Sequence, residues 1–174
     1  SYRQVRALAS ASSLLTNSIL SNNPHTNNPA SPDNIGFDYF TVDFQEDLTA
    51  LHGQALYNQA EYLNDAVKFI LEQYYPSHAG PKNFFPLPKS IILIGHSMGG
   101  VVARTMLTLD NYKQDSVNTI FTLAAPHTLP PVAFDPTVAR IYDSVNRYWE
   151  QSFSQDLIGR NPLASVAVIS IAGG

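Results

Sequence analysis

The sequence contains no cysteine. A disulfide framework and a thiolate metal site are therefore excluded, although the compartment is left open, because a secreted domain can do without cysteine. Charge is sparse: 14 % of the 174 residues are charged and the net charge is −4. There is no basic patch of the kind that tracks a phosphate backbone, so nucleic acid is not an expected partner. No run of about 18 apolar residues occurs, so this stretch of chain offers no membrane-spanning helix. Internal repeats and low-complexity tracts are also lacking. What is present is a 44 % hydrophobic composition, sufficient for one domain with a packed core.

The apolar residues are ordered by period. Val5, Leu8, Ser12, Leu15 and Ile19 recur at spacings of three and four and predict a helix over 2–20. Residues 22–36 are rich in Asn, Pro and Ser and read as a loop. The aromatic and β-branched run FDYFTVDF over 37–44 predicts a strand. Leu56, Ala60, Leu63, Val67, Ile70 and Tyr74 predict a long helix over 54–75. After a second loop over 76–88, residues 90–94 form a short, mostly aliphatic run, as in a parallel strand covered on both faces. Met98, Val101, Val102, Thr105, Met106 and Leu109 mark the next helix, and 117–124 the next strand. A loop with three prolines over 126–134 leads to Asp135-Pro136, an N-cap followed by proline at the first helical position. Val138, Ile141, Val145 and Tyr148 give that helix its buried face, and 165–172 reads as a further buried strand. Alternating helices and strands predict an α/β fold: a mostly parallel sheet with helices on both faces.

Residues 94–100 read IGHSMGG. A serine between glycines, directly after an apolar strand and directly before an amphipathic helix, is the setting of a nucleophile elbow. A serine hydroxyl needs a base to take its proton, an acid to orient the base, and N–H groups aimed at the developing oxyanion. Ser97 is the candidate nucleophile. Met98 N–H, at the free N-terminus of the following helix, is the candidate oxyanion donor. Gly95 and Gly99 are read as leaving room for the close strand–helix packing.

The partners of Ser97 are harder to find. His96 neighbours it and is expected to point away, as a packing or substrate-lining residue. His127, at the carboxyl edge beyond the next strand, is a second substrate-lining candidate. His25 and His78 read as solvated loop residues and His52 as a turn residue before a helix. Asp43 closes the 37–44 strand, either contacting substrate or capping 45–48. Asp135 follows the strand after the elbow helix, a position open to a catalytic acid, yet its N-cap role explains it equally well. In this type of fold the acid and the histidine follow later strands.

Several stretches together carry a resemblance: SYRQVR at the start, FTVDFQEDLTALHG, IILIGHSMGGVVAR, LAAPHTLPP and ISIAGG at the end. The chain resembles the GPI inositol-deacylases, α/β-hydrolase-fold proteins of the endoplasmic reticulum membrane, over nearly its whole length. GHSMGG alone is shared with many lipases and thioesterases; the combination with VDFQEDLTALHG and APHTLPP is more specific. The resemblance implies an ester hydrolase that removes the acyl chain from the inositol of GPI anchors during export of GPI-anchored proteins. Its substrate would be a GPI-anchored protein or GPI glycolipid, and no metal or organic cofactor is implied. It matches Ser97 to the family's nucleophile.

It also implies that residues 1–174 are one partial α/β-hydrolase domain. The strand and glycine-rich oxyanion loop would precede Ser1, the acid and histidine would follow Gly174, and the membrane attachment would lie outside this segment. On that expectation the isolated segment is inactive and its sheet incomplete. Two alternatives stay open: a soluble lipase or esterase with the same elbow, and an inactive lipid- or partner-binding module.

Overall fold

The computed structural model describes residues 2–22, 37–44, 52–75, 87–132, 134–154 and 161–172. They divide into two compact units, Ser1–Asp43 and Phe44–Gly174. His25, His78, residues 45–48 and most of the two loops read over 22–36 and 76–88 lie outside the described residues.

In the first unit, helix α1 spans Tyr2–Asn22, as its apolar period predicts. Leu8 and Leu15 of that period nevertheless remain exposed. Residues 37–44 form no regular strand. This corrects the strand expected there. β-branched and aromatic residues favour a pleated chain, but a strand exists only where a neighbour accepts and donates its ladder hydrogen bonds. The described residues form one three-stranded sheet, and 37–44 is not among its strands.

The second unit follows the expected alternation: α2 (Gly53–Glu72), β1 (Ile91–His96), α3 (Met98–Met106), β2 (Val117–Leu123), α4 (Pro136–Ser152) and β3 (Ala167–Ile171). The three strands form a parallel sheet in the order β1-β2-β3. Paired residues on parallel neighbours share a face. Leu93, Ile120 and Val168 form one row, and Gly95, Thr122 and Ser170 the next, on the face covered by α3. Ile94, Phe121 and Ile169 share the other face.

The core lies on the helix-bearing face. Leu56, Ala60, Leu63, Val67 and Leu71 of α2 meet α3, whose Val101, Val102 and Met106 are buried against the sheet. Val138, Ile141, Tyr142, Val145 and Trp149 close it from α4. Tyr148, expected in that buried face, is only half-buried; Tyr142 and Trp149 take the place. Asn64 reaches across from α2 and donates to Met106 O at 2.8 Å, so the carboxyl end of α3 is capped by a buried side chain. The strand β3, expected to be buried, is exposed along all five residues. On the face away from α3, Ile92, Ile94, Ile169 and Ile171 are also exposed.

Candidate active site

The sheet delivers Ser97 to its carboxyl edge. β1 ends at His96 and α3 begins at Met98, so Ser97 alone makes the turn, with φ 54° and ψ −125°. A non-glycine residue in this region is strained by about 1–3 kcal/mol and persists only where its surroundings over-determine it. Here they do. Ser97 N donates to Leu123 O at 2.9 Å, which extends the β1–β2 ladder into the turn, and Ser97 O accepts from Gly100 N at 3.1 Å. Ala124, at the end of the neighbouring strand, also has positive φ (47°). Two strained residues thus sit side by side at one sheet edge.

Close packing fixes the turn from below. A Cβ on Gly95 would lie 2.6 Å from Gly100 N, and a Cβ on Gly100 would lie 2.6 Å from Ala125 Cβ and 3.1 Å from Thr122 Cγ2. Nothing comes within 4 Å of a Cβ on Gly99. The sequence reading assigned close packing to Gly95 and Gly99; the second role belongs to Gly100. One residue along a helix is about 100° of rotation, and it is Gly100 that faces the sheet.

Ser97 is exposed, and its hydroxyl makes no capping hydrogen bond. The first-turn N–H groups of α3, Met98 among them, have no partner four residues back within the helix and carry its positive dipole end. Tyr142 OH donates to Met98 Sδ at 3.6 Å, tying α4 to the first residue of α3. Burial pushes the Tyr142 phenol up to about 12, so it is a donor throughout the neutral range.

His127 is held elsewhere. Its Nδ1 lies 3.3 Å from an Arg104 guanidinium nitrogen and its Nε2 2.9 Å from Thr122 Oγ1. A guanidinium only donates, so Nδ1 is the acceptor and Nε2 carries the hydrogen that bonds to Thr122; the tautomer is assigned from this network. Burial, and then the Arg104 cation, hold the imidazole below its ordinary value, consistent with a neutral ring. Arg104 also donates to His127 O at 3.4 Å and Asn146 Oδ1 at 3.1 Å, and lies 5.1 Å from the Trp149 ring centroid. Trp149 Nε1 donates back to Arg104 O at 3.2 Å.

This network locks the loop after β2 onto α3 and α4. It borders a cavity of about 630 Å³ lined by Arg104, His127, Trp149, Phe153, Val168 and Ser170 among others, and Ser97 is not in its wall. The sequence reading missed Arg104. Its signal was that it is the one charged residue of α3, within the run VVARTM.

His96 is exposed at the end of β1 and shares a row with Leu123 and Ile171, on the face away from α3. Asp43 is an exposed residue of the first unit. Asp135 accepts from Thr137 N at 2.8 Å with one oxygen and from Gly53 N at 2.9 Å with the other, so it caps α4 and α2 together. These backbone donors, Gly53 first, hold its carboxyl below the ordinary value of 3.8. The capping reading of Asp135 is the one the geometry supports. No hydrogen bond joins the Ser97 hydroxyl to a histidine among the described residues.

A parallel sheet carrying a strained, exposed serine on a strand–turn–helix elbow defines the α/β-hydrolase class. The chain belongs to the family of PGAP1-like alpha/beta domains, whose profile it matches over residues 1–174. It is 48 % identical to the GPI inositol-deacylase of Phaeosphaeria nodorum over all of this chain and 16 % of that protein. It is 48 % identical to the protein of the same name from Coccidioides immitis and 46 % identical to that of Aspergillus fumigatus, in each case over all of this chain and 15 % of the relative. The chain thus spans about one-sixth of the length of these relatives.

Proposed function

We propose that this chain carries the nucleophile of a serine ester hydrolase that removes the fatty acyl chain from the inositol of GPI anchors at the endoplasmic reticulum membrane. The observation that carries the reading is Ser97: exposed, at φ 54°, between a parallel strand and the N-terminus of a helix. Relatives that share 46–48 % of their aligned residues and are named GPI inositol-deacylase support this substrate class.

In the proposed reaction Ser97 Oγ attacks the ester carbonyl and its proton passes to a histidine base. Met98 N–H stabilises the oxyanion of the tetrahedral intermediate. Collapse breaks the bond to the inositol oxygen, which leaves with the proton held by the base. Water then attacks the acyl-serine, releasing a fatty acid and restoring the hydroxyl. Neither His127, whose two ring nitrogens are engaged by Thr122 and Arg104, nor Asp135, which caps two helices, is assigned to this base and acid.

The test is deacylation of inositol-acylated GPI by microsomes from cells expressing the protein with Ser97 or with Ser97→Ala. The expected result is a fall of about three orders of magnitude or more at equal expression. Undiminished deacylation with alanine at this position would remove the reading.

A further inference from the structure

The first three residues of α3 are Met98, Gly99 and Gly100. Glycines weaken a helix and bring no side chain that a neighbour could hold. Met98 is thus the one handle on this turn, and it follows Ser97, whose φ of 54° stores strain. The peptide that joins the two carries both the Ser97 carbonyl and the Met98 N–H, and being planar it turns as a unit. Its carbonyl end is held by Gly100 N, which donates to Ser97 O at 3.1 Å.

The hold on the Met98 end comes from α4. Tyr142 OH donates to Met98 Sδ at 3.6 Å, and among the described residues the hydroxyl makes this one hydrogen bond. Its support is rigid. Tyr142 is 3 % exposed, Val138, Ile141 and Val145 around it in α4 are buried, and Asp135 caps the start of the helix. A thioether is a weak acceptor, whereas a buried phenol normally finds a stronger one. The bond therefore adds little to folding, and a phenylalanine ring would fill the same space. What distinguishes tyrosine from phenylalanine at this position is the hold on Met98.

We infer that Tyr142 is a positioning residue for the reaction at Ser97: through Met98 Sδ its hydroxyl keeps the Met98 N–H aimed at the oxyanion. This rests on the reading of Ser97 as nucleophile and of Met98 N–H as oxyanion donor. Tyr142 is buried and acts through Met98, so it bears on the transition state and not on the binding of substrate. Outright loss of an oxyanion donor lowers kcat by about 10²–10³-fold, and a donor that remains but is loosely held is expected to cost about tenfold.

The test uses microsomes from cells expressing the protein, with deacylation measured over a range of inositol-acylated GPI concentrations and corrected for protein level. Tyr142→Phe is expected to lower kcat about tenfold and to leave KM within about twofold. Met98→Leu keeps the volume, removes the acceptor and is expected to give the same loss. The double variant is expected to fall no further than either single one, because both remove the same bond. A purely structural role for the hydroxyl would lower the protein level and leave kcat per molecule unchanged. An unchanged kcat in Tyr142→Phe, a loss confined to KM, or a double variant at the product of the two single losses would each overturn the inference. Ser97→Ala, run alongside, separates it from the reading beneath it. Activity lost with Ser97→Ala but kept with Tyr142→Phe removes this inference alone; activity kept with Ser97→Ala removes both.

Discussion

Ser97 shows how three glycines in a row of six residues can have different physical roles. Gly95 and Gly100 touch each other's surroundings so closely that a Cβ on either would meet atoms at 2.6 Å. At Gly95 the obstacle is backbone, which cannot swing aside. At Gly100 it is the Ala125 methyl and the Thr122 methyl. Gly100→Ala is therefore expected to cost about 1–3 kcal/mol, the usual penalty of overpacking. Gly100→Ala combined with Ala125→Gly removes the closest of these contacts and is expected to recover part of the loss. Gly99→Ala meets open space in the first turn of a helix, and it is expected to be neutral or to stabilise by up to about 1 kcal/mol. Urea melts of the three variants check the order; a Gly99→Ala cost as large as that of Gly100→Ala would contradict the packing described.

Asp135 acts at the scale of elements. The N-termini of α2 and α4 converge so tightly that a Cβ on Gly53 would lie 2.7 Å from Thr137 Cγ2. Two positive helix ends so close together would repel, and one carboxylate answers both. His52, the N-cap of α2, makes no side-chain cap of its own, so Asp135 serves in its place. Because the folded carboxyl titrates below its ordinary value of 3.8, its stabilisation is fully present above that pH. It is lost as pH falls from there through the lower folded value. Asp135→Asn is expected to be less stable than the parent at neutral pH. The gap should close in acid, below the ordinary carboxylate range. Denaturant midpoints at neutral and acid pH measure this, and a gap of constant size would contradict the double cap.

At the scale of the second unit, Arg104 links α3 to the loop after β2 and to α4. Its success depends on His127 staying neutral, since a protonated Nδ1 would turn a donor toward a donor. The folded imidazole titrates below 6.5, so the unfolded chain binds the proton first on acidification. Stability is then expected to fall as pH drops below about 6.5 through the lower folded value. His127→Ala is expected to be less stable above pH 6.5, with a shallower pH dependence between there and the carboxylate range. Thermal melts across that interval check it; parallel curves would show that His127 is not the titrating group.

The elements of the second unit and the elbow were legible in the amino-acid sequence because each is a local pattern. An apolar stripe at helical period, an aliphatic run and a serine between glycines specify themselves within twenty residues. The Asp135-Pro136 cap was legible for the same reason, though not its second bond to Gly53. The strand expected over 37–44 was not formed, because a strand is a relation between two segments and propensity states only one side of it. Burial of β3 failed likewise: its pattern says which residues are apolar, not what covers them. That Gly100 rather than Gly99 meets the sheet was decided by the rotation of α3 on β2. His127 faces Arg104, not Ser97, because of a network whose partners lie up to 45 positions apart, which no local pattern could have announced. The sequence determined where a strained serine would stand; only the packed structure decided which of its apparent partners were already engaged elsewhere.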